Sequence, residues 1–563
     1  MRTQSNPAWL LLSLLSLVIL LPGDPGRAAA ENPIVEAAKE GDLPAVRALI
    51  AKRANVNEPS RDGSTPLLWA AYHSDLEMAR ALIAAGAAVN TSNKYGITPL
   101  LQASRTGDTA MIAALLDAGA DVARAHPDGE TPLMAVSRAG RADAARLLLA
   151  RGAEVNAADT YQQQTALMWA AAQGHADVAS ILLKAGANPN LKAHVTSLAK
   201  REHEDHPSGG FTALMFAARN GHENVVRTLA EGGADLNLTN GDDANKFNGA
   251  TAMIIAIVND RLDLAATLLE LGADPNDGSL YHAVDMHDAT TDMRARDGSL
   301  LRWDHPNKLT ALDLIKLLLD RGADPNKPFV GQLHSTSLCC GDFANGSPFY
   351  RAAIASDVEV LKLMIAKGAS VEWTPGEVKL ERSENGAGQG AGGRGANANM
   401  YRQPIFVAMI GGRGAGLAAG PGFNRLGPPP FREASNRKPV DAVKTLLAAG
   451  ADPNAWGPDG GTPLHKAAQD RADLDIIRAL VAGGATLDYL NIEGLTPLEV
   501  AEKPAPTGRG AGAGADPDAP ADTRPSRQAV AALFRELMGL PPAEVKPAET
   551  PKPAAAVSSE RAQ

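Results

Sequence analysis

Large rings are scarce in this chain: aromatic residues make up 4% of its 563 positions. That leaves little material for the mixed core of a conventional large enzyme, whereas Ala and Leu at helical spacing pack without rings. Cysteine is nearly absent. The two present, Cys339 and Cys340, are neighbours, so no disulfide framework can be built from them. Positive charge is not in excess. The formal net charge is −10, which gives nucleic acid no global electrostatic attraction. After residue 21 no apolar run is long enough to span a bilayer, which takes about 18 residues or more. The short motifs of common catalysts are missing as well: no HExxH, no GxSxG elbow, no Walker-type loop and no CxxC. What remains is ordinary for a folded soluble protein, 45% hydrophobic and 21% charged residues. Length alone, at about 150 residues per domain, suggests several domains.

The first thirty residues read as a secretory signal. Arg2 precedes an apolar run from Leu10 to Leu21, and Ala28-Ala29-Ala30 offers the small residues that a signal peptidase needs. Cleavage is expected after Ala30, leaving no membrane span. An uncleaved anchor is the alternative. No Cys stands near the cleavage site and no twin-Arg pair precedes the run, so the general secretory route and a periplasmic or secreted product are expected.

The rest of the chain repeats one phrase. Gly86-Ala87-Ala88-Val89-Asn90, Gly119-Ala120-Asp121-Val122, Gly152-Ala153-Glu154-Val155-Asn156 and Gly186-Ala187-Asn188-Pro189-Asn190 follow one another, and the phrase continues at Gly233, Gly272, Gly322, Gly368, Gly450 and Gly484. The base period is 33, as between Gly86 and Gly119, with insertions in the later steps. A degenerate first copy has Arg53 in place of Gly. A second phrase keeps the same register, at Thr65-Pro66-Leu67, Thr98-Pro99-Leu100, Thr131-Pro132-Leu133, Thr165-Ala166-Leu167, Thr212-Ala213-Leu214, Thr251-Ala252-Met253, Thr462-Pro463-Leu464 and Thr496-Pro497-Leu498. Thr can cap a helix start and Pro is preorganised for its first turn. The spacing predicts a short Ala-rich helix over 67–73 and a second near 76–85, with Leu76, Ala79, Leu82 and Ile83 on one face. Gly86 then falls where a helix ends left-handed, and a polar turn leads into the next unit.

These phrases, with Gly174-His175, Gly221-His222 and Gly461-Thr462-Pro463-Leu464-His465-Lys466-Ala467-Ala468, resemble the ankyrin repeat over about residues 32–501. The chain is similar to secreted bacterial proteins of this type that carry long insertions. The resemblance implies an all-α fold with short β-turn or hairpin fingers. It would be a solenoid of about eleven units plus a partial C-terminal cap. The departure from the family is its His after Thr-Pro-Leu, replaced by Leu68, Leu101, Met134, Met168, Met215 and Ile254 and kept only as His465. His-mediated hydrogen bonds between neighbouring loops are therefore expected to be mostly absent, with hydrophobic packing in their place.

The expected organisation is a signal at 1–30 and an array at 31–502 with insertions at 194–210, 288–308, 327–346, 376–399 and 411–438. A linker and C-terminal capping helix occupy 503–540, the helix over 527–540, and a disordered Pro/Ala-rich tail occupies 541–563. His194, His203 and His206, with Glu204 and Asp205, could bind a metal ion, but their spacing matches no strong motif and a solvated loop is the better reading. Cys339 and Cys340, near His334, could hold a soft metal, act in redox chemistry or form a vicinal disulfide; two buried loop residues is the plain alternative. Gly386 to Gly395 offers GxGxxG spacings but follows no strand and opens no helix. Trp69, Trp169 and Phe216 share one slot in the first helix and are expected in the core. No cofactor and no catalytic residue are assigned.

In such an array the turn tips and first helices line a concave, partner-binding side. The register places Arg61, Asp62, Lys94, Tyr95, Asp128, Glu130, Tyr161 and Gln162 at turns there, with Tyr72, Arg105, Arg138, Gln173, Arg219 and Asn220 at first-helix ends. Both charge signs mixed with Tyr suit protein recognition. The expected function is a non-enzymatic, monomeric scaffold outside the cytoplasm that binds another protein and no nucleic acid. A metal or redox accessory protein using its His- and Cys-bearing insertions is the alternative.

Overall fold

The structure, a computed structural model, describes residues 32–194, 210–240, 249–287, 307–329, 346–372, 403–410, 437–457, 460–503 and 524–542. The chain divides into two compact units, residues 1–127 and 128–563. Among the described residues every extended element is a helix, and the one β feature is an isolated antiparallel bridge between Ala158 and Thr165.

Among its described residues the first unit holds three helix pairs: Pro33–Lys39 with Leu43–Ala51, Pro66–Tyr72 with Leu76–Ala84, and Pro99–Thr106 with Thr109–Asp117. The repeated Thr-Pro acts at the start of each first helix after the opening pair. Thr65 Oγ1 accepts the amide of Leu68 and Thr98 Oγ1 that of Leu101, while Pro66 and Pro99 occupy a position whose N–H has no helical acceptor. The second helices start on Asp42, Asp75 and Asp108, each accepting a first-turn amide. Second helices end at a residue with positive φ. Gly86 sits there at +90° in open space. In the degenerate first copy Arg53 is forced to +58°, at a cost of about 1 kcal/mol relative to Gly. Leu67, Ala70 and Ala71 pack toward the next first helix, which contributes Leu100, Leu101 and Ala103. Met78, Ala79 and Leu82 bury one stripe of the second helix. Small residues let the helices approach, and the scarcity of rings follows from that packing.

Among its described residues the second unit holds nine pairs. They are Pro132–Arg138 with Ala142–Ala150, Ala166–Gln173 with Ala176–Lys184, Ala213–Asn220 with Glu223–Glu231, Ala252–Val258 with Leu262–Glu270, Ser279–His287 with Ala311–Asp320, Pro348–Ile354 with Val358–Ala366, Pro404–Ile410 with Pro439–Ala448, Pro463–Asp470 with Leu474–Ala482, and Pro497–Glu502 with Arg527–Leu537. The final helix stops three residues short of the expected 540, because Gly539 takes φ +67° and its amide closes on Glu536 O.

Asparagine supplies a recurring pair of hydrogen bonds between neighbouring repeats, beside the hydrophobic packing expected in place of the family's His; the rings of His73 and His175 also reach the preceding repeat, at Lys39 O and Arg138 O. In the first unit Asn57 Nδ2 donates to Gly86 O (3.0 Å) and its Oδ1 accepts Ala88 N (2.6 Å), and Asn90 does the same with Gly119 O and Asp121 N. In the second unit Asn156, Asn190, Asn276, Asn326 and Asn454 repeat both bonds. The preceding Asp of the phrase orients the amide's own backbone: Asp235, Asp274, Asp324 and Asp452 each accept the N–H two residues on. Glu372 replaces the asparagine once and accepts Asp452 N (2.8 Å). His465 makes the family's own bond: Nδ1 accepts from Thr462 N and Nε2 donates to Leu495 O (2.9 Å). Met134 and Met215 imitate half of it, their sulfurs accepting from Thr131 N and Thr212 N.

Candidate partner-binding face

In the first unit the turn residues Arg61, Lys94 and Tyr95 are exposed, Tyr95 to 68%. Asp62 is committed to the turn itself. Burial raises its pKa, but the hydroxyls of Ser60 and Ser64 and the Ser64 amide donate to its carboxylate and hold it below the usual range. Its carbonyl also accepts Lys94 N (2.8 Å), joining successive turns. Tyr72 is exposed and edge-on to Trp69 (5.6 Å) and His73 (5.3 Å), and Arg105 is half-buried.

In the second unit the structure brings a turn and two first helices together. Arg138, at a helix end, pairs with the turn residue Glu130 (3.0 Å) and lies 5.4 Å over the Trp169 ring of the next repeat. Tyr161 is 79% exposed at its turn; Asp128, Gln162 and Gln173 are exposed too. Gln162 also ties down its loop, its side-chain oxygen accepting from Gln164 and its carbonyl from His194 N. Arg219 lies 5.5 Å and 5.6 Å from the rings of Phe216 and Phe211. Asn220 is spoken for: its amide donates to Ala172 O (2.7 Å), beside His222 Nε2 on the same carbonyl. Of the three residues expected in the core at this slot, Phe216 is buried; Trp69 and Trp169 are half-buried, and Trp169 is a platform for Arg138.

Two features of this unit escaped sequence reading. Trp456, Tyr489, Leu490 and Ile492 form an exposed apolar ridge on the last turns, with Trp456 and Tyr489 6.3 Å apart and Ile492 75% exposed. Aromatics in turn segments, as at Tyr95 and Tyr161, were the available signal. A polar cluster is also buried in the first-helix row: Tyr281 and His282 pack on Phe329, and Asp285 pairs with Arg351 (2.7 Å). Burial drives the His282 pKa down to about 4 and pushes the Tyr281 and Tyr350 hydroxyls up.

At the opposite ends of the helices, a cleft lies between the starts of Val358–Ala366 and Pro439–Ala448. There His287 Nδ1 meets Asp357 Oδ2 (2.6 Å), and Arg437 donates to both Asp357 and the His287 carbonyl (2.9 Å each). Burial raises the Asp357 pKa, but His287 and Arg437 together hold it low. Ser356 lines the same cleft, yet its hydroxyl has no partner and makes no bond to His287, so no nucleophile–base pair is set up. Asp357 instead caps its helix through Val360 N.

Of the metal candidates, His194 is described: it is exposed, and its backbone amide donates to Gln162 O. His203, His206, Cys339, Cys340 and the segment 1–30 lie outside the described residues. Among the described residues no group of three or more His, Cys, Asp or Glu could hold a metal ion, and no helix is long and apolar enough to cross a membrane.

Paired antiparallel helices stacked in one register, joined by turns and laddered by asparagine, define a helical repeat protein. The chain belongs to the ankyrin repeat family: the family model for ankyrin repeats (3 copies) matches residues 34–126, 122–193, 194–279 and 431–503. Among solved structures it is similar to the crystal structure of the human ASB11 ankyrin repeat domain, at 26% identity and a TM-score of 0.35, covering 42% of this chain and 97% of that one. No curated protein matches the chain. Ankyrin repeats bind other proteins.

Proposed function

We propose that this chain is a non-enzymatic scaffold acting outside the cytoplasm, which holds a partner protein against its turn tips and first helices. The Arg138 cluster carries the reading, because a turn, a helix end and the neighbouring repeat's tryptophan form one continuous surface around it. Exposed tyrosines at turn tips supply apolar contact area with few rotamers to freeze. The composition of Met1 to Ala30 supports export, with Glu31 as the first residue of the mature chain. The test is affinity capture from the compartment the protein's own signal delivers it to. It compares wild type with a variant carrying Ala at Arg61, Lys94, Tyr95 and Tyr161. The variant is expected to lose most of the wild type's co-purifying protein; equal recovery would contradict the face. A mature chain retaining residues 1–30 inside the cell would contradict the location.

A further inference from the structure

We infer that the surface at Arg219 is a seat for a carboxylate on an acidic, extended segment of the partner; this rests on the scaffold reading above. The Arg219 guanidinium lies over two rings, 5.5 Å from Phe216 and 5.6 Å from Phe211, and those rings are themselves edge-to-face at 5.4 Å, so aromatic contacts on two sides restrict it before any ligand arrives. It is half-buried, and no ion pair or hydrogen bond engages it within the described chain. Burial lowers its pKa, and among the described residues no carboxylate offsets that loss of solvation. A partly desolvated cation with no counter-ion among the described residues is well suited to an incoming anion, since planar guanidinium binds carboxylate through two parallel N–H bonds.

The other stacked arginine shows what such a seat looks like when filled. Arg138 lies over Trp169 and already carries Glu130. The helices bearing Trp169 and Arg219 pack directly against each other. One helix spacing of about 8–10 Å corresponds to roughly three residues of extended chain. The seat therefore fits a segment with Asp or Glu at one position and an apolar side chain three residues away, resting beside Trp169. Neighbouring helix-end positions add no competing carboxylate, being Gln173 on one side and Val258 on the other.

The experiment uses the full mature chain and three fluorescein-labelled peptides, (Glu-Gly-Gly-Leu)4, the same peptide with Gln for Glu, and the same with Lys for Glu, read by anisotropy. The Glu peptide is expected to bind at least tenfold tighter than the Gln peptide, and the Lys peptide not at all. Arg219→Gln should remove that tenfold preference. Arg219→Lys, which keeps the charge and loses the stacking, should remove most of it. Arg227→Gln, on a second helix and already paired with Glu223, should change nothing. Thermal unfolding of Arg219→Gln should match or exceed wild type, because the charge serves binding and not folding. Equal binding of Glu and Gln peptides overturns the inference, as does equal loss from Arg227→Gln. So does an oligothymidylate 12-mer that binds as tightly as the Glu peptide through Arg219. Undiminished partner capture by Arg219→Gln sinks the acidic seat and leaves the scaffold standing, whereas failure of the four-residue turn variant to affect capture sinks the scaffold itself.

Discussion

His282 shows how one residue can record its surroundings. It occupies the first-helix slot that holds Trp69, Trp169 and Phe216 in other repeats, and it is fully buried with its Nε2 unpartnered. Phe329, Tyr281 and Asp285 surround it, the last engaged with Arg351. Its folded pKa of about 4 lies below the ordinary imidazole value of 6.5. Between these values the unfolded chain takes up a proton that the folded chain refuses, so stability falls as pH drops. From pH 7 to pH 5 this one group should cost about 2 kcal/mol. Urea denaturation of wild type and His282→Phe at both pH values is the check. The variant should lose about 2 kcal/mol less on acidification; parallel losses would show that the imidazole is solvated. A core slot was legible in the register, but its neighbours were not, since Phe329 approaches from a connecting segment that no periodicity describes.

At the scale of the repeated element, the two phrases explain themselves once their hydrogen bonds are drawn. Thr-Pro caps and opens a helix, Gly closes one, and Asp-x-Asn binds the next repeat's closing turn. The helix boundaries could be read from sequence to within a few residues because caps and breakers are local. The asparagine's role could not, because its partners lie 29 or more residues away and an exposed Asn otherwise reads as a turn former. The same rung accounts for the tolerance of insertions: Asn276 reaches Gly322 O and Asp324 N across residues 288–306 as readily as Asn57 reaches its neighbour across a plain repeat. Asn276→Asp keeps the acceptor, loses the donor and sets a carboxylate against the Gly322 carbonyl. A loss of about 1 kcal/mol or somewhat more is expected in equilibrium denaturation, with Asn276→Ala at about the same level. An Asn276→Asp protein as stable as wild type would show that the rung contributes nothing.

For the molecule as a whole, the scarcity of aromatic residues turns out to be a property of where they sit. Ala and Leu fill most of the contacts between helices; among the described residues eight rings, such as Phe349, Phe406 and Phe534, are buried with them, while Tyr72, Tyr95, Tyr161, Trp456 and Tyr489 lie where partners could meet them. Of the candidate residues named from register, Tyr95, Tyr161, Arg138 and Arg219 stand on the surface, or partly so, in arrangements suited to binding. Asp62 and Asn220 are consumed by the scaffold. Sequence could place a residue at a turn or helix end but could not show whether its polar atoms were already satisfied. The central claim is that partners meet the turn tips and first helices. Site-specific photo-crosslinking in the native compartment tests it most directly, with the photoreactive residue placed in turn at Tyr95, Tyr161 and Gln173 and at the exposed second-helix positions Arg80 and Arg146. Adducts to a second protein from the first three positions and none from the last two are predicted. Adducts confined to Arg80 and Arg146, or none from any position, would contradict the account.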